Sequence, residues 1–306
     1  MRLIHGPRNS LVKSSNLAMV AHMRTVYVNG VYLPEDQAQI SIFDRGFLFG
    51  DAVYEVTAVM NEKMVDFDAH MDRLQRTMSE LDMTNGYNRK DLLTIHKMLI
   101  KKNNLQEGLV YLQVTRGVAD RDFDFSDLDT TPGLVLFTQA KNLEANPLAA
   151  RGQKIVLADD QRWGRADIKT VQLLYSSLMK TRAKRQGADD VWLCRDGKIT
   201  EGSSNNAYIV THDNEIVTRE LSTDILHGIT RVSVLKIAKL HQLKIVERAF
   251  SVEELMSAKE AFSTSASGFV NPVVKVNGTT IGNGEPGHVT ESLRASYVTE
   301  SQATSI

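Results

Sequence analysis

Four short stretches of this 306-residue chain hold side chains that could do chemistry together. In "RADIKTVQLL", Lys169 stands at the lip of an apolar run, two residues after Asp167. A lysine pressed against apolar surface loses hydration, its pKa falls, and its neutral amine can act as nucleophile and base. In "TEGSSNN", Glu201 follows a strand-like run and precedes small polar residues. An acid there could hydrogen-bond a ring nitrogen and keep it protonated. In "HGITR", Gly228, Ile229 and Thr230 open a helical pattern carrying Val234, Leu235 and Ala238. Free backbone N–H groups at a helix start suit a phosphate. In "STSASG", residues 263–268, Ser265 and Ala266 belong to a small-residue loop able to bring further N–H groups to an anion.

Each stretch alone has a plainer reading: a snorkelling lysine, a turn glutamate, a helix-capping Thr230, a solvent turn. Together, and in this order, an amine for an aldehyde, a partner for a ring nitrogen and two phosphate cups describe a site for pyridoxal 5′-phosphate. Such a site needs no metal.

The elements that must position these residues read as α+β. "TVYVNGVYLP" is two β-branched runs around Asn29-Gly30, a strong hairpin signal. Phe67, Met71, Leu74, Met78 and Leu81 recur at helical spacing, and a second helix covers about 90–103. "LVYLQVTRG", "GLVLFTQ" and "KIVLAD" read as strands. Val171, Leu174, Leu178 and Met179 form a helical stripe ending at Lys184, Arg185 and Gly187. "DVWLCRDGKITEGSSNNAYIVTHDNEIVT" is a meander, "KIVERAF" a strand, "SVEELMSAKEAF" a helix, and a last helix runs over about 288–300. Antiparallel strand clusters with helices between them predict two α+β domains and exclude a doubly wound fold. The boundaries are a small domain over 25–140, a linker over 141–152 in "KNLEANPLAARGQ", and a large cofactor-binding domain over 153–306. Residues 1–24 carry four Lys/Arg and no acid, and read as a disordered extension or an upstream start.

Bulk numbers narrow the partners. A net charge of −1 gives no electrostatic reason for nucleic acid or an anionic membrane, and no run is long enough to span a bilayer. The single cysteine, Cys194, excludes an internal disulfide and fits a reducing, cytoplasmic setting.

"DRGFLFGDAVYEV", "HMDRL", "LQVTRG", "DIKTVQLL", "TEGSSNN" and "GITR" together resemble the fold-type IV PLP enzymes, most closely the D-amino acid aminotransferases, from about Thr25 to about Tyr297. The resemblance implies that Lys169 is the Schiff-base lysine and proton shuttle and that Glu201 partners the pyridine nitrogen. It implies that Arg73 binds the phosphate with Ile229 and Thr230, that Leu226 packs on the ring, and that Ser203 and Ser204 tie the region together. Tyr54 and Val56 fall on the substrate side. The family's Arg-x-His carboxylate pair becomes Arg121 and Phe123 in "VADRDFDF", with Asp120, Asp122 and Asp124 nearby as competitors for the guanidinium. Losing that histidine makes the carboxylate trap weaker and more apolar, so (R)-amines could be accepted. Ala266 stands where relatives have threonine. The resemblance further implies a ping-pong transamination between a D-amino acid and a 2-oxo acid, in a homodimer whose carboxylate loop reaches in from the partner. Branched-chain L-amino acid aminotransferase and aminodeoxychorismate lyase are the alternatives of the same fold; a non-catalytic binding protein is the alternative outside it.

Overall fold

The computed structural model describes residues 23–83 and 86–306, so the extension read over 1–24 lies almost wholly outside the described residues. β1 (Thr25–Val28) and β2 (Val31–Pro34) form the hairpin, with Asn29 and Gly30 at φ 47° and 98°. That left-handed pair gives the turn whose twist matches its strands. α1 (Arg45–Phe49) starts on an Asp44 cap and ends on Gly50 at φ 67°. Then come β3 (Ala52–Met60), β4 (Lys63–Met64), α2 (Phe67–Ser79), α3 (Arg89–Lys102), β5 (Glu107–Thr115) and β6 (Gly133–Ala140). The strands make an antiparallel sheet in the order β2-β1-β6-β5-β3-β4. The apolar stripe of α2 (Phe67, Met71, Leu74, Met78) packs with α3 onto Leu112, Val114 and Leu134 of that sheet, each buried side chain contributing about 1.5–3 kcal/mol.

After α4 (Pro147–Arg151), capped by Asn146, the chain builds a second sheet. Its elements are β7 (Gln153–Asp159), α5 (Leu174–Arg185), β8 (Asp190–Arg195), β9 (Lys198–Gly202), β10 (Asn206–Val210), β11 (Ile216–Thr218), α6 (Ile229–Leu240), β12 (Ile245–Glu247), α7 (Val252–Met256), β13 (Glu260–Ser265), β14 (Phe269–Val276), β15 (Thr279–Thr280) and α8 (His288–Thr304). The order is β12-β11-β10-β13-β14-β7-β8-β9, with β15 paired to β14. It is mixed, because β7 runs parallel to both β8 and β14. The two sheets share a core: Ala58, Met60, Val65 and Leu109 pack with Phe262, Phe269, Leu293 and Tyr297. The C-terminal Ile306 closes onto Met64 by backbone bonds of 2.9 and 3.1 Å.

Two sequence readings of local structure need correction. Of the stripe Val171-Leu174-Leu178-Met179, only Met179 faces a core. α5 begins at Leu174, Val171 bonds to the backbone of Ala52 instead, and Leu174 is 82% exposed. The buried face of α5 is Ser176, Met179 and Ala183. The helix read over "SVEELMSAKEAF" stops at Met256. A Ser251–Glu254 capping box starts it, but from Glu260 the chain pairs with β10 and β14, and two ladders of strand bonds outweigh helix propensity. By the same pairing, Ser263 to Ser265 belong to β13, and only 266–268 turn.

Candidate active site

Where the two sheets meet lies a cavity of about 260 Å³. Lys169 enters it from the segment between β7 and α5. That segment is pinned along β3 by Tyr54 N donating to Lys169 O (3.1 Å), Val171 N donating to Ala52 O (3.1 Å) and a Val53–Thr170 bridge. Lys169 Nζ sits 4.1 Å from the centroid of the Tyr54 ring, a cation–π distance. Tyr54 stacks on Tyr111 (5.5 Å) and Tyr111 on Phe137 (4.8 Å), so a ladder of rings on β3, β5 and β6 backs the amine. Asp167 turns away from Lys169; it is buried and accepts from Arg76 (2.6 Å) and Arg165 (2.9 Å). Ile168, 4% exposed, supplies the apolar lip.

Glu201 sits on β9, 4% exposed. It accepts from Arg162 Nη1 (2.5 Å), Asn206 Nδ2 (2.9 Å) and Leu226 N (3.1 Å). Burial pushes its carboxyl up, opposed first by the Arg162 charge. Arg162 is itself gripped by Asp160 (2.8 Å) and by the backbone carbonyl of Asp224 (3.1 Å), and the carboxylates of Asp160 and Glu201 hold the guanidinium charged against its burial. Leu226 lines the same wall. Ser203 donates to buried Asp190 (2.5 Å); its neighbour Ser204 is exposed at the rim.

At the other end α6 begins. Gly228 takes the N-cap position with no side-chain cap, so Thr230 is not the cap; it lies inside the first turn, 3% exposed. The first-turn N–H groups have no intrahelical partners, and Gly228, Ile229 and Thr230 line the cavity. A Cβ on Gly228 would come within 2.1 Å of Asn206 Oδ1, so only glycine fits. Ser265 and Ala266 face this turn from the end of β13. Arg73, on α2, donates Nη1 to His227 O (3.0 Å), next to Gly228, and its other nitrogens to Glu55. An amine, an acid and an N–H cup with an arginine fit pyridoxal 5′-phosphate: amine for the aldehyde, acid for the ring nitrogen, cup for the phosphate.

All the cofactor-site candidates, with Tyr54 and Val56, therefore line one cavity, whereas Arg121 and Phe123 do not. They lie on the exposed segment between β5 and β6, where Phe123 is 76% exposed and Arg121 stacks on Phe49 (5.3 Å) and Phe123 (5.5 Å). Among the described residues, Asp120, Asp122 and Asp124 form no ion pair with Arg121. Sequence reading missed Arg162, Asn206, Glu55 and His70. Glu55 carried a signal, a charge inside the apolar run "AVYEVTAVM"; Arg162 carried none.

Residues 52–276 match the model of the class IV amino-transferases. The D-alanine aminotransferase of Bacillus licheniformis is 36% identical over 272 residues, covering 88% of this chain and 94% of the relative. That of Staphylococcus aureus strain N315 is 34% identical over 275 residues, covering 90% and 97%. The T.th. branched-chain amino acid aminotransferase, solved with N-(5′-phosphopyridoxyl)-L-glutamate, superposes with a TM-score of 0.84 at 22% identity over 92% of this chain and 95% of that one. The Escherichia coli branched-chain enzyme gives 0.82 at 20% identity, over 91% and 94%. Those two likenesses carry the fold, and with a family match across both sheets and relatives spanning nearly the whole length, this chain belongs to the class IV amino-transferases.

Proposed function

We propose that the protein is a pyridoxal 5′-phosphate-dependent transaminase that moves the amino group of a D-amino acid to a 2-oxo acid by ping-pong turnover. The observation that carries this is the single cavity collecting Lys169, Glu201, Arg73 and the Gly228–Thr230 turn, in a chain about one-third identical to D-alanine aminotransferases. When bound, the cofactor supplies an aldehyde for the donor nitrogen and a ring that accepts electrons from the donor Cα. Arg73, Ile229 and Thr230 hold its phosphate, Leu226 its ring face and Glu201 its ring nitrogen. Lys169 Nζ takes the proton from Cα of the donor, and in the reverse half returns a proton to Cα of the new amino acid. The Tyr54 ring fixes where that nitrogen sits, and Ile168 and Leu226 keep bulk water from it.

The substrate carboxylate is assigned to Arg121, contributed by a second copy of the chain. Support comes from the surface: Phe43, Phe47, Val118 and Phe123 are exposed apolar residues, as are Leu174 and Leu178, which follow the cavity-lining Leu173. Phe43 O accepts from Ala119 N, which joins the first two stretches, and Gly50 at the end of α1 packs against Gln172, just before α5. An exposed apolar patch of this kind marks an interface, and a homodimer covers it while bringing Arg121 to the opposite cavity. Phe123, apolar beside that arginine, supports acceptance of (R)-amines.

The test is a half-reaction screen with the purified holoenzyme. D-alanine or D-glutamate should bleach the visible absorbance and release one equivalent of 2-oxo acid. Reaction with L-leucine but neither D-amino acid, or pyruvate release from aminodeoxychorismate without an acceptor, would overturn the reading.

A further inference from the structure

We propose that Glu55 is a positioning residue for the cofactor phosphate: it sets the plane of the Arg73 guanidinium, with His70 as a second brace. The inference rests on the cavity being a pyridoxal 5′-phosphate site with Arg73 at its phosphate end.

Strand alternation places Glu55 behind the cavity wall. Tyr54 and Val56 line the cavity, so the residue between them faces the other side of β3. There Glu55 is 0% exposed in an apolar strand. An isolated carboxylate at such a place would be strongly disfavoured, and even a paired one is commonly no better for stability than an apolar residue of the same size. Fold stability alone therefore does not call for an acid here.

Its contacts are those of a clamp. Oε1 accepts from Arg73 Nε at 2.8 Å, Oε2 from Arg73 Nη2 at 2.7 Å, and Oε2 also meets His70 Nδ1 at 2.7 Å. Two parallel bonds fix the guanidinium plane, a restraint that a lysine in place of Arg73 could not accept. Arg73 Nη1 then reaches His227 O at 3.0 Å, the carbonyl next to the residue that opens α6. A guanidinium has five N–H groups. These bonds engage Nε and one hydrogen on each Nη, leaving one on each Nη for an anion in the cavity that Arg73 lines. His70, three residues before Arg73 on α2, lines the cavity too. Burial alone would raise the Glu55 carboxyl; the Arg73 charge and the His70 bond hold it down at about 2, so the clamp stays ionised wherever the enzyme works.

Removing the carboxylate has two opposing consequences, and the proposal commits to one. A more positive site would bind a phosphate tighter through charge alone. A guanidinium freed from its clamp would bind it worse, because its N–H groups no longer point at one place. Orientation wins on this proposal, and the loss is confined to ligands bearing the phosphate.

The experiment measures apoenzyme affinity for pyridoxal 5′-phosphate and for unphosphorylated pyridoxal, by absorbance titration, in Glu55→Gln and Arg73→Ala. Glu55→Gln should weaken the phosphorylated ligand roughly 10–100-fold, as loss of a supporting partner does at other ligand sites, and leave pyridoxal unchanged. If Glu55→Gln does not fold, Glu55→Asp keeps the charge, shortens the reach, and should show a smaller loss with the same selectivity. Equal weakening of both ligands, or phosphate binding unchanged or tighter, would overturn the proposal. Arg73→Ala separates the two levels: if it too fails to discriminate between the ligands, the phosphate site itself is misassigned and the proposal falls with it. A selective Arg73→Ala beside an unselective Glu55 variant removes the inference alone.

Discussion

Two carboxylates flank the proposed cofactor site, Glu55 behind the β3 wall beside Arg73 and Glu201 on the cavity lining beside Arg162, and both are almost fully buried. Their acidities move apart. Glu55 is held down at about 2, whereas burial pushes Glu201 up. Burial is the first cause at both ends and raises both, so the partners decide the outcome. Glu55 receives both tines of one guanidinium and a histidine. Glu201 receives one guanidinium nitrogen from Arg162, which it shares with Asp160, together with neutral N–H donors. Glu55 with Arg73 and His70, at the proposed phosphate end, is thus a closed ionic clamp. Glu201, at the proposed ring end, is an acid with its charge only partly answered, suited to a further cationic partner such as a protonated ring nitrogen.

The comparison is sharpest when the group between the two ends is removed. Lys169→Ala should lower kcat by roughly 10⁴–10⁶-fold, as loss of a nucleophile does elsewhere, while both ends keep binding pyridoxal 5′-phosphate noncovalently. Dialysis should then strip the cofactor from the variant and not from the parent. Full activity in Lys169→Ala would remove the assignment.

Glu201→Gln tests the ring end by itself. The amide keeps the shape, loses the negative charge and can no longer hold a ring proton. A fall in kcat of roughly 10²–10³-fold is expected, the scale for losing one preorganised electrostatic partner, with cofactor affinity little changed. If Glu201→Gln instead releases the cofactor at unchanged kcat, the two ends do the same job and the contrast between them is lost.

Arg121→Ala reaches outside the cavity. The charge-assisted pair with a carboxylate is worth about 1.5–3 kcal/mol, so KM for D-amino acids should rise roughly 10–100-fold while simple amines are hardly affected. Equal effects on both would take Arg121 away from the carboxylate.

What the sequence revealed and what it hid divide along the same line. Lys169, Glu201 and the Gly228 turn were legible because each sits in a local pattern: an apolar lip, a strand end, a helix start. The Asn29-Gly30 hairpin and the α2 stripe were legible for the same reason. The partners were not. Glu55 and Arg73 are 18 residues apart, Arg162 and Glu201 39 apart, and no local spacing predicts which acid meets which base. Leu174 and Leu178 misled because periodicity reports apolar residues without saying whether a core or another surface covers them. Arg121 could be read as a carboxylate ligand only through family resemblance, since within one chain it lies on an exposed segment.

The smallest effect concerns stability at low pH, where the two carboxylates should oppose each other. Glu55 has a folded pKa of about 2 against a usual 4.5, so its ionised form stabilises the fold above 4.5 and that contribution is lost as pH falls toward 2. Glu201 has a raised folded pKa, so the fold favours its protonated form and acidification works the other way there. A third group adds an earlier window. His96, fully buried against Phe67 with Nδ1 on Leu92 O, is lowered by burial from 6.5 to about 4. The unfolded chain takes up that proton first, so stability falls between 6.5 and about 4, by about 3 kcal/mol on the usual conversion. Denaturant midpoints measured from neutral pH downward should therefore begin to drop below 6.5, above the range in which Glu55 is lost, with Glu201 opposing the decline. His96→Leu should flatten that first decline and leave the one below 4.5 in place. A midpoint profile from 6.5 to 4 that His96→Leu leaves unchanged would mean that His96 is hydrated in solution. A decline below 4.5 that Glu55→Asp leaves untouched would mean that the clamp behind the phosphate cup is not where the acid enters.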